Sequence, residues 1–223
     1  MKNIFKNDLS KHTTLAEKIS IQLREQILGG VLKGGTSLKQ DQLAQQYVTS
    51  VGVLREALKT LEGEGFVEFV PNKGAYVKRL TAQEALDIFD VRLLLETEAL
   101  TRSLPQLTEN DFFLLEGLLD EEEFCNEPLR YNDLNIKFHA SLYRHCGNSK
   151  LLETIQQLNN QVSRYMIFYL NNMLQKQESQ TEHRQLLAAC KAQDKKSAKL
   201  ILKKHMQKAG KALADYLNKH PEL

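Results

Sequence analysis

Cysteine is scarce in this chain: Cys125, Cys146 and Cys190 are odd in number, far apart and without a C-x-x-C pair. That argues against a disulfide framework or a cysteine zinc site, and for reduced thiols in a cytoplasmic protein. No apolar run approaches the length of a membrane span, and the opening MKNIFKNDLSKH lacks the apolar stretch of a signal peptide, so neither insertion nor secretion is expected. Internal repeats and low-complexity stretches are also missing. Net charge is small, +2, but it hides a segregation. Residues 1–80 carry 12 Lys/Arg against 8 Asp/Glu, residues 81–134 carry 3 against 14, and residues 135–223 carry 15 against 6. An acidic middle between basic ends suits a chain that meets an anionic polymer at one end and pairs its own helices at the other. Solvated helix faces would account for most of the middle and C-terminal charges.

With 223 residues, one large domain or two modest ones can bury a core. Thr14-Leu15-Ala16-Glu17 reads as a capping box, and Leu15, Ile19, Leu23 and Ile27 follow at four-residue steps to Gly29-Gly30. Ser37 and Gln40 suggest a second box before a short helix through Tyr47. Ser50 caps a third helix with Leu54, Ala57, Leu58 and Leu61 on one face. Phe66–Val70 and Ala75–Lys78 then read as a hairpin across Pro71-Asn72-Lys73-Gly74. Helix-turn-helix followed by a basic hairpin is a winged helix. From Thr81 the pattern is helical only, with segments to about Leu104, from Thr108 to about Asn126, from Pro128 to Gly147, over Leu151–Tyr169, over Thr181–Cys190 and from Asp194 to Leu217. Short loops between them favour an antiparallel bundle. The fold expected is therefore mostly α: a winged helix-turn-helix over 1–78, a linker at 79–82 and an all-α bundle over 83–223.

Asn135 and His139 lie four apart on one helix face, beside the apolar Leu134, Phe138 and Leu142. His183 sits near the start of the fifth bundle helix, and His205 lies between Ile201 and Ala209 on the last. Three imidazoles from three helices suit a buried metal site, and equally suit separate hydrogen-bonded core histidines. His12, His145 and His220 have no such setting and read as surface residues.

LREALKTLEGEGFVEFVPNKGAYV resembles the DNA-binding end of GntR-type bacterial transcription regulators, where a helix with V-R-E-A-L and L-x-x-E-G precedes a wing with an N-x-G turn. NIKFHASLYRHCGN, EHRQLLAACKAQD and KKHM resemble the all-helical FCD domain of the FadR subfamily. The resemblance implies that the third helix offers its start, at Ser50, Val51 and Gly52, to the major groove of a near-palindromic operator, while the wing tip, Asn72, Lys73 and Gly74, lies against a neighbouring groove. Lys39, Arg55, Lys59 and Lys73 are the candidate cations for phosphate. This copy departs from the family pattern: Val51 stands where an arginine commonly reads bases, Val53 where proline is usual and Gln40 where glutamate is usual. Valine cannot hydrogen-bond guanine, so an atypical operator is expected.

Metal-binding members of the resembled domain use Asp-x-x-x-His plus one histidine on each of two later helices. Carried over, that ligand set is Asn135, His139, His183 and His205, with the amide replacing the usual aspartate, and the ion is divalent, zinc or nickel. The resemblance further implies a homodimer and a small organic acid effector near Arg92, Arg164 and Tyr165, with repression as the common mode. For Arg92 a salt bridge to Glu96 or another acid is the competing reading. Two other functions compete: a metal-dependent enzyme on the three histidines, for which no acidic residue stands out as a base, and a ligand-free architectural DNA-binding protein.

Overall fold

A computed structural model of the chain describes residues 13–170 and 173–220, without the side chains of residues 164, 168–170 and 173–175. Its first unit contains α1 (Leu15–Leu28), β1 (Ser37–Leu38), α2 (Gln40–Gln46), α3 (Val51–Gly63), β2 (Val67–Val70) and β3 (Gly74–Val77). The Thr14–Glu17 capping box forms in both directions. The buried face of α1 is Ala16, Ile19, Leu23 and Ile27, whereas Leu15 is exposed: the first turn presents Ala16 rather than Leu15 to the core. Leu54, Ala57, Leu58 and Leu61 of α3 are fully enclosed, each leucine contributing about 1.5–3 kcal/mol by burial.

Ser37 does not cap α2. It pairs with Tyr76, as Leu38 pairs with Ala75, so both residues extend the wing hairpin into a three-stranded antiparallel sheet of order β1-β3-β2. The N-cap of α2 is Lys39, which makes no side-chain cap bond. At the wing tip the Lys73 amide donates to the Val70 carbonyl, with Pro71 and Asn72 between and Asn72 at φ 60°. That is the geometry of a type II turn, in which Pro and Asn suit the two central positions.

The second unit is helical: α4 (Ala82–Ser103), a 3-10 turn (Leu104–Gln106), α5 (Glu109–Phe124), α6 (Pro128–Tyr143), α7 (Ser149–Leu170), α8 (Met173–Lys191) and α9 (Lys195–Lys219). Thr81 and Thr108 form capping boxes with Glu84 and Asp111. Helix α8 starts earlier than the apolar pattern indicated, which leaves His183 inside the helix rather than at its start. The helices enclose a main apolar cluster and a small one around Tyr131, both separate from that of the first unit. Helix α9 packs closely on α4 because Gly210 has no side chain; a Cβ there would stand 2.8 Å from Phe89.

The two units meet along α7. Lys78 donates to Gln161 over 3.1 Å, and the Leu80 amide donates to the Tyr165 hydroxyl over 2.9 Å. Gly65, at φ +84°, admits Gln161, whose Cγ would lie 2.6 Å from any Cβ.

Candidate functional site

His139 on α6, His183 on α8 and His205 on α9 are all buried, and one ligand atom from each lies within 4.8 Å of the others. Their inner edges are the Nε2 atoms: His139 to His183 is 3.2 Å and His183 to His205 is 3.3 Å. The outer edges are tied back. Tyr143 donates its hydroxyl hydrogen to Glu96 over 2.8 Å, so its oxygen accepts from His139 Nδ1 at 3.2 Å. Glu122 accepts from His183 Nδ1 at 3.4 Å, and Glu182 accepts from His205 Nδ1 at 2.8 Å. With each Nδ1 holding the hydrogen, every Nε2 presents a lone pair to the same point.

Three lone pairs at such separations repel unless a cation stands between them. A proton on His139 is opposed, because burial, reinforced by the neighbouring imidazoles and Arg92, holds it well below its ordinary 6.5. His205 is also lowered, burial outweighing the pull of Glu182. A divalent ion fits. Tetrahedral ligands about 2.05 Å from zinc stand about 3.3–3.4 Å apart, whereas right-angled ligands of an octahedral ion stand about 3.0 Å apart. The Asn135 amide nitrogen lies 3.4 Å from His183 Nε2, and the amide can turn its oxygen toward the group.

Beside this centre lies a cavity of about 50 Å³ whose lining includes Arg92, Asn132, Asn135, His139, Asn159 and His205. Arg92 is committed: its guanidinium donates to Glu96 over 2.8 Å within the core. The salt-bridge alternative for Arg92 is therefore the one seen, although its side chain still borders the cavity. Tyr165 is absent from the cavity lining and holds Leu80 at the junction instead. The Arg164 side chain and His12 lie outside the described residues. His145 is not a free surface residue, since its Nε2 is 3.0 Å from Asp111. His220 stacks on Tyr216 with ring centroids 4.4 Å apart.

In the first unit, Lys39, Val51, Lys73 and Gly74 line one groove of about 560 Å³ between α2, the start of α3 and the wing. Val51, Gly52, Arg55 and Lys59 lie on the exposed side of α3. Lys39, Arg55 and Lys73 have no ion-pair partner among the described residues and are free for phosphate. Lys59 is engaged, 2.7 Å from Glu62 and over the Phe69 ring. Ser50 accepts from the Val53 amide and so caps α3. Asn72 is exposed at the wing tip.

The sequence matches the bacterial regulatory proteins of the gntR family over residues 15–77 and the FCD domain over residues 87–208. The chain is a GntR-family transcription regulator with an FCD domain. A similar curated protein is the HTH-type transcriptional repressor GlaR of Escherichia coli, 28% identical over 195 residues that cover 82% of this chain and 89% of that one. The gluconate operon transcriptional repressor of Bacillus subtilis is 31% identical over 147 residues, 63% of this chain and 58% of that one. The solved structure of E. coli McbR/YncC shares the fold, with TM-score 0.74 and 24% identity across 93% of this chain and all of that one (100%). Family and relatives are regulators, not enzymes.

Sequence reasoning missed the carboxylates behind the histidines. Glu182 directly precedes His183, and Glu122 sits in an acidic run on α5 that reads as solvated surface. Tyr143 had a legible signal: it follows His139 by four residues and so shares its helix face.

Proposed function

We propose that this GntR-family regulator is a cytoplasmic homodimeric repressor whose wing domains grip a near-palindromic operator, released by a small organic acid. Its helical unit holds a divalent ion, zinc or nickel, on His139, His183 and His205 with Asn135 alongside. The observation that carries the metal reading is the convergence of three Nε2 lone pairs whose opposite nitrogens are each tied to an acceptor. When bound, the ion supplies a positive anchor for a carboxylate oxygen of the effector. Tyr143, Glu122 and Glu182 fix the ring orientations, and α6, α8 and α9 exclude bulk water from the inner face. Repression draws support from the printed names of two relatives, both called transcriptional repressors.

On DNA, Arg55 at the exposed face of α3 and Lys39 and Lys73 around the groove contribute the cations, while Val51 limits base reading at its position to apolar contact with a thymine methyl. The test pairs metal analysis of the purified protein by mass spectrometry with DNA binding of His139→Ala and His183→Ala. Substoichiometric metal and an unchanged effector response in both variants would remove the ion from the mechanism. An intact response in wild type, lost in variants that still bind DNA, is the expected result.

A further inference from the structure

Val48 stands where its own side chain is disfavoured. The Thr49 amide donates to the Ala44 carbonyl over 2.9 Å, and the Val48 amide to the Gln45 carbonyl over 3.2 Å. This pair of bonds closes a helix with a left-handed residue just past its end, a place where glycine or asparagine is usual. Here that residue is Val48, at φ 50°. A β-branched side chain crowds the backbone at positive φ. Asn72 and Gln193, the other non-glycine residues with positive φ among those described, are not β-branched. The fold makes no packing use of the valine, which is 90% exposed and outside the apolar cluster of its unit. A strained residue without an internal role points to an external one.

The neighbouring side chains indicate which. Val48 shares a hollow with Ala44, Thr49, Ser50 and Val51. Val51 and Asp41 border both this hollow and the groove that holds Lys39, Lys73 and Gly74. One surface therefore runs from Val48 across the start of α3 to the wing. No lysine or arginine lines the hollow and its only charge is Asp41, so it offers nothing to phosphate. Val51 is 43% exposed and also outside the core. Beside it, a Cβ on Gly52 would meet nothing nearer than the Ser50 Oγ at 3.8 Å. Packing thus does not require glycine at 52, and the missing side chain leaves Val51 standing clear.

We propose that Val48 and Val51 together form an apolar reading head for the C5 methyl groups of thymines in the major groove, with Val48 a further determinant of operator sequence. This rests on the operator-binding reading above, which gives a thymine contact to Val51 alone, and deepens it. A recognition helix meets base edges with its N-terminal residues, and Val51 is the first residue of α3. The thymine methyl is the apolar group that the major groove presents, and valine has no donor or acceptor with which to read anything else. Lys39, Arg55 and Lys73 then position the protein on phosphates while the two valines read sequence.

The experiment uses the full-length protein and the duplex recovered by selection from random DNA, with thymines replaced one at a time by uracil. Uracil keeps the base pair and the O4 acceptor and removes only the methyl. Fluorescence anisotropy at fixed salt is expected to show binding weakened about two- to fourfold at no fewer than two thymines per half-site, the worth of one buried methyl each. Val48→Gly, which suits φ 50° and so should fold, and Val51→Ala are each expected to abolish the uracil penalty at one position and keep it at the other. Uracil tolerated everywhere by a protein that still prefers the selected duplex would overturn the proposal and leave operator binding in place. So would penalties that Val48→Gly leaves unchanged, since Val51 or another side chain would then read every methyl. Selection that returns no preferred duplex would sink both readings.

Discussion

If the proposed ion is bound, removing it should lower the stability of the helical unit by an amount that mass action sets. Without it, the Nε2 atoms of buried His139, His183 and His205 face one another across 3.2 and 3.3 Å, with burial opposing protonation of His139 and His205. Any ion that binds only the folded chain stabilises it by mass action, about 2.7 kcal/mol at a free concentration 100 times the dissociation constant. For a chain of 150–250 residues each kcal/mol moves the melting temperature by about 2–4 °C, so chelation should lower it by about 5–11 °C. Differential scanning fluorimetry with and without a chelator, followed by zinc readdition, reads this directly. His183→Ala should melt lower in its own right, because His183 is fully enclosed, but its melting temperature should no longer respond to zinc. Asn135→Ala, which keeps three imidazoles, should retain most of the response. A wild-type melting temperature unmoved by either chelator or zinc would refute the reasoning.

The same site has a pH signature. Burial depresses His139 and His205 below the 6.5 of the unfolded side chain, so their neutral forms stabilise the folded state fully above pH 6.5, and that contribution fades as pH falls toward the depressed values. Zinc should therefore remain bound below pH 6.5, and dialysis at pH 6 that strips it would contradict the burial argument. Asn135→Asp should lower the melting temperature in chelator, by adding a charge to an anionic shell, yet raise zinc affinity; competition with a fluorescent chelator measures the second half. Asp111, which burial tends to raise, is brought to about 2 by the Thr108 amide and hydroxyl and by His145, so its contribution is present above pH 3.8 and lost as pH falls toward 2. Asp111→Asn should accordingly reduce stability at pH 6 but not at pH 2, as urea titrations at both values would report. Arg55→Ala and Lys73→Ala should each weaken operator binding and lower its salt dependence by about one phosphate contact, whereas Lys59→Ala, already paired with Glu62, should have a smaller effect. Selection of binding sites from random DNA should return a half-site unlike the family's usual one, and recovery of the usual site would mean that Val51 does not set specificity.

Most of the architecture was legible because helices of this length announce themselves through period and caps. Thr14 and Thr81 each exchange capping bonds with the third residue on, as their spacing indicated, and Thr108 does the same where only a helix start was read. Two misreadings have physical causes. Strand β1 is only two residues long, too short for a period-two pattern, and its existence depends on Ala75 and Tyr76 across the sheet. The beginning of α8 is rich in Gln, Glu and Lys, so no apolar stripe marks it, and only the later Leu186 and Leu187 betray a buried face. The three histidines could be nominated from their helix faces, but their convergence is a tertiary fact. Arg92 was legible both ways, as a match to a family position and as a salt-bridge partner of Glu96 four residues on, and the salt bridge is what forms.

Helix α7 touches both the cavity and the junction with the DNA-binding unit, and so offers a route for the proposed effector response. Asn159, Val162, Ser163 and Met166 border the cavity, while Gln161 and Tyr165, on the neighbouring stripe, hold Lys78 and Leu80 at the junction. One rigid element thus carries both contacts, and a ligand that draws Asn159 inward must work against, or along with, the seat of Leu80. A ligand shifts such an equilibrium only by the difference in its affinity for the two arrangements. Tyr165→Phe isolates the junction from the cavity: it removes the acceptor of a buried amide, at a cost of about 1–3 kcal/mol, and leaves the cavity lining unchanged. If α7 transmits the signal, this variant should bind the acid with near wild-type affinity and yet release DNA less completely when it does. Full release with the junction hydrogen bond gone would place the transmission elsewhere, for instance along the α4–α9 pair.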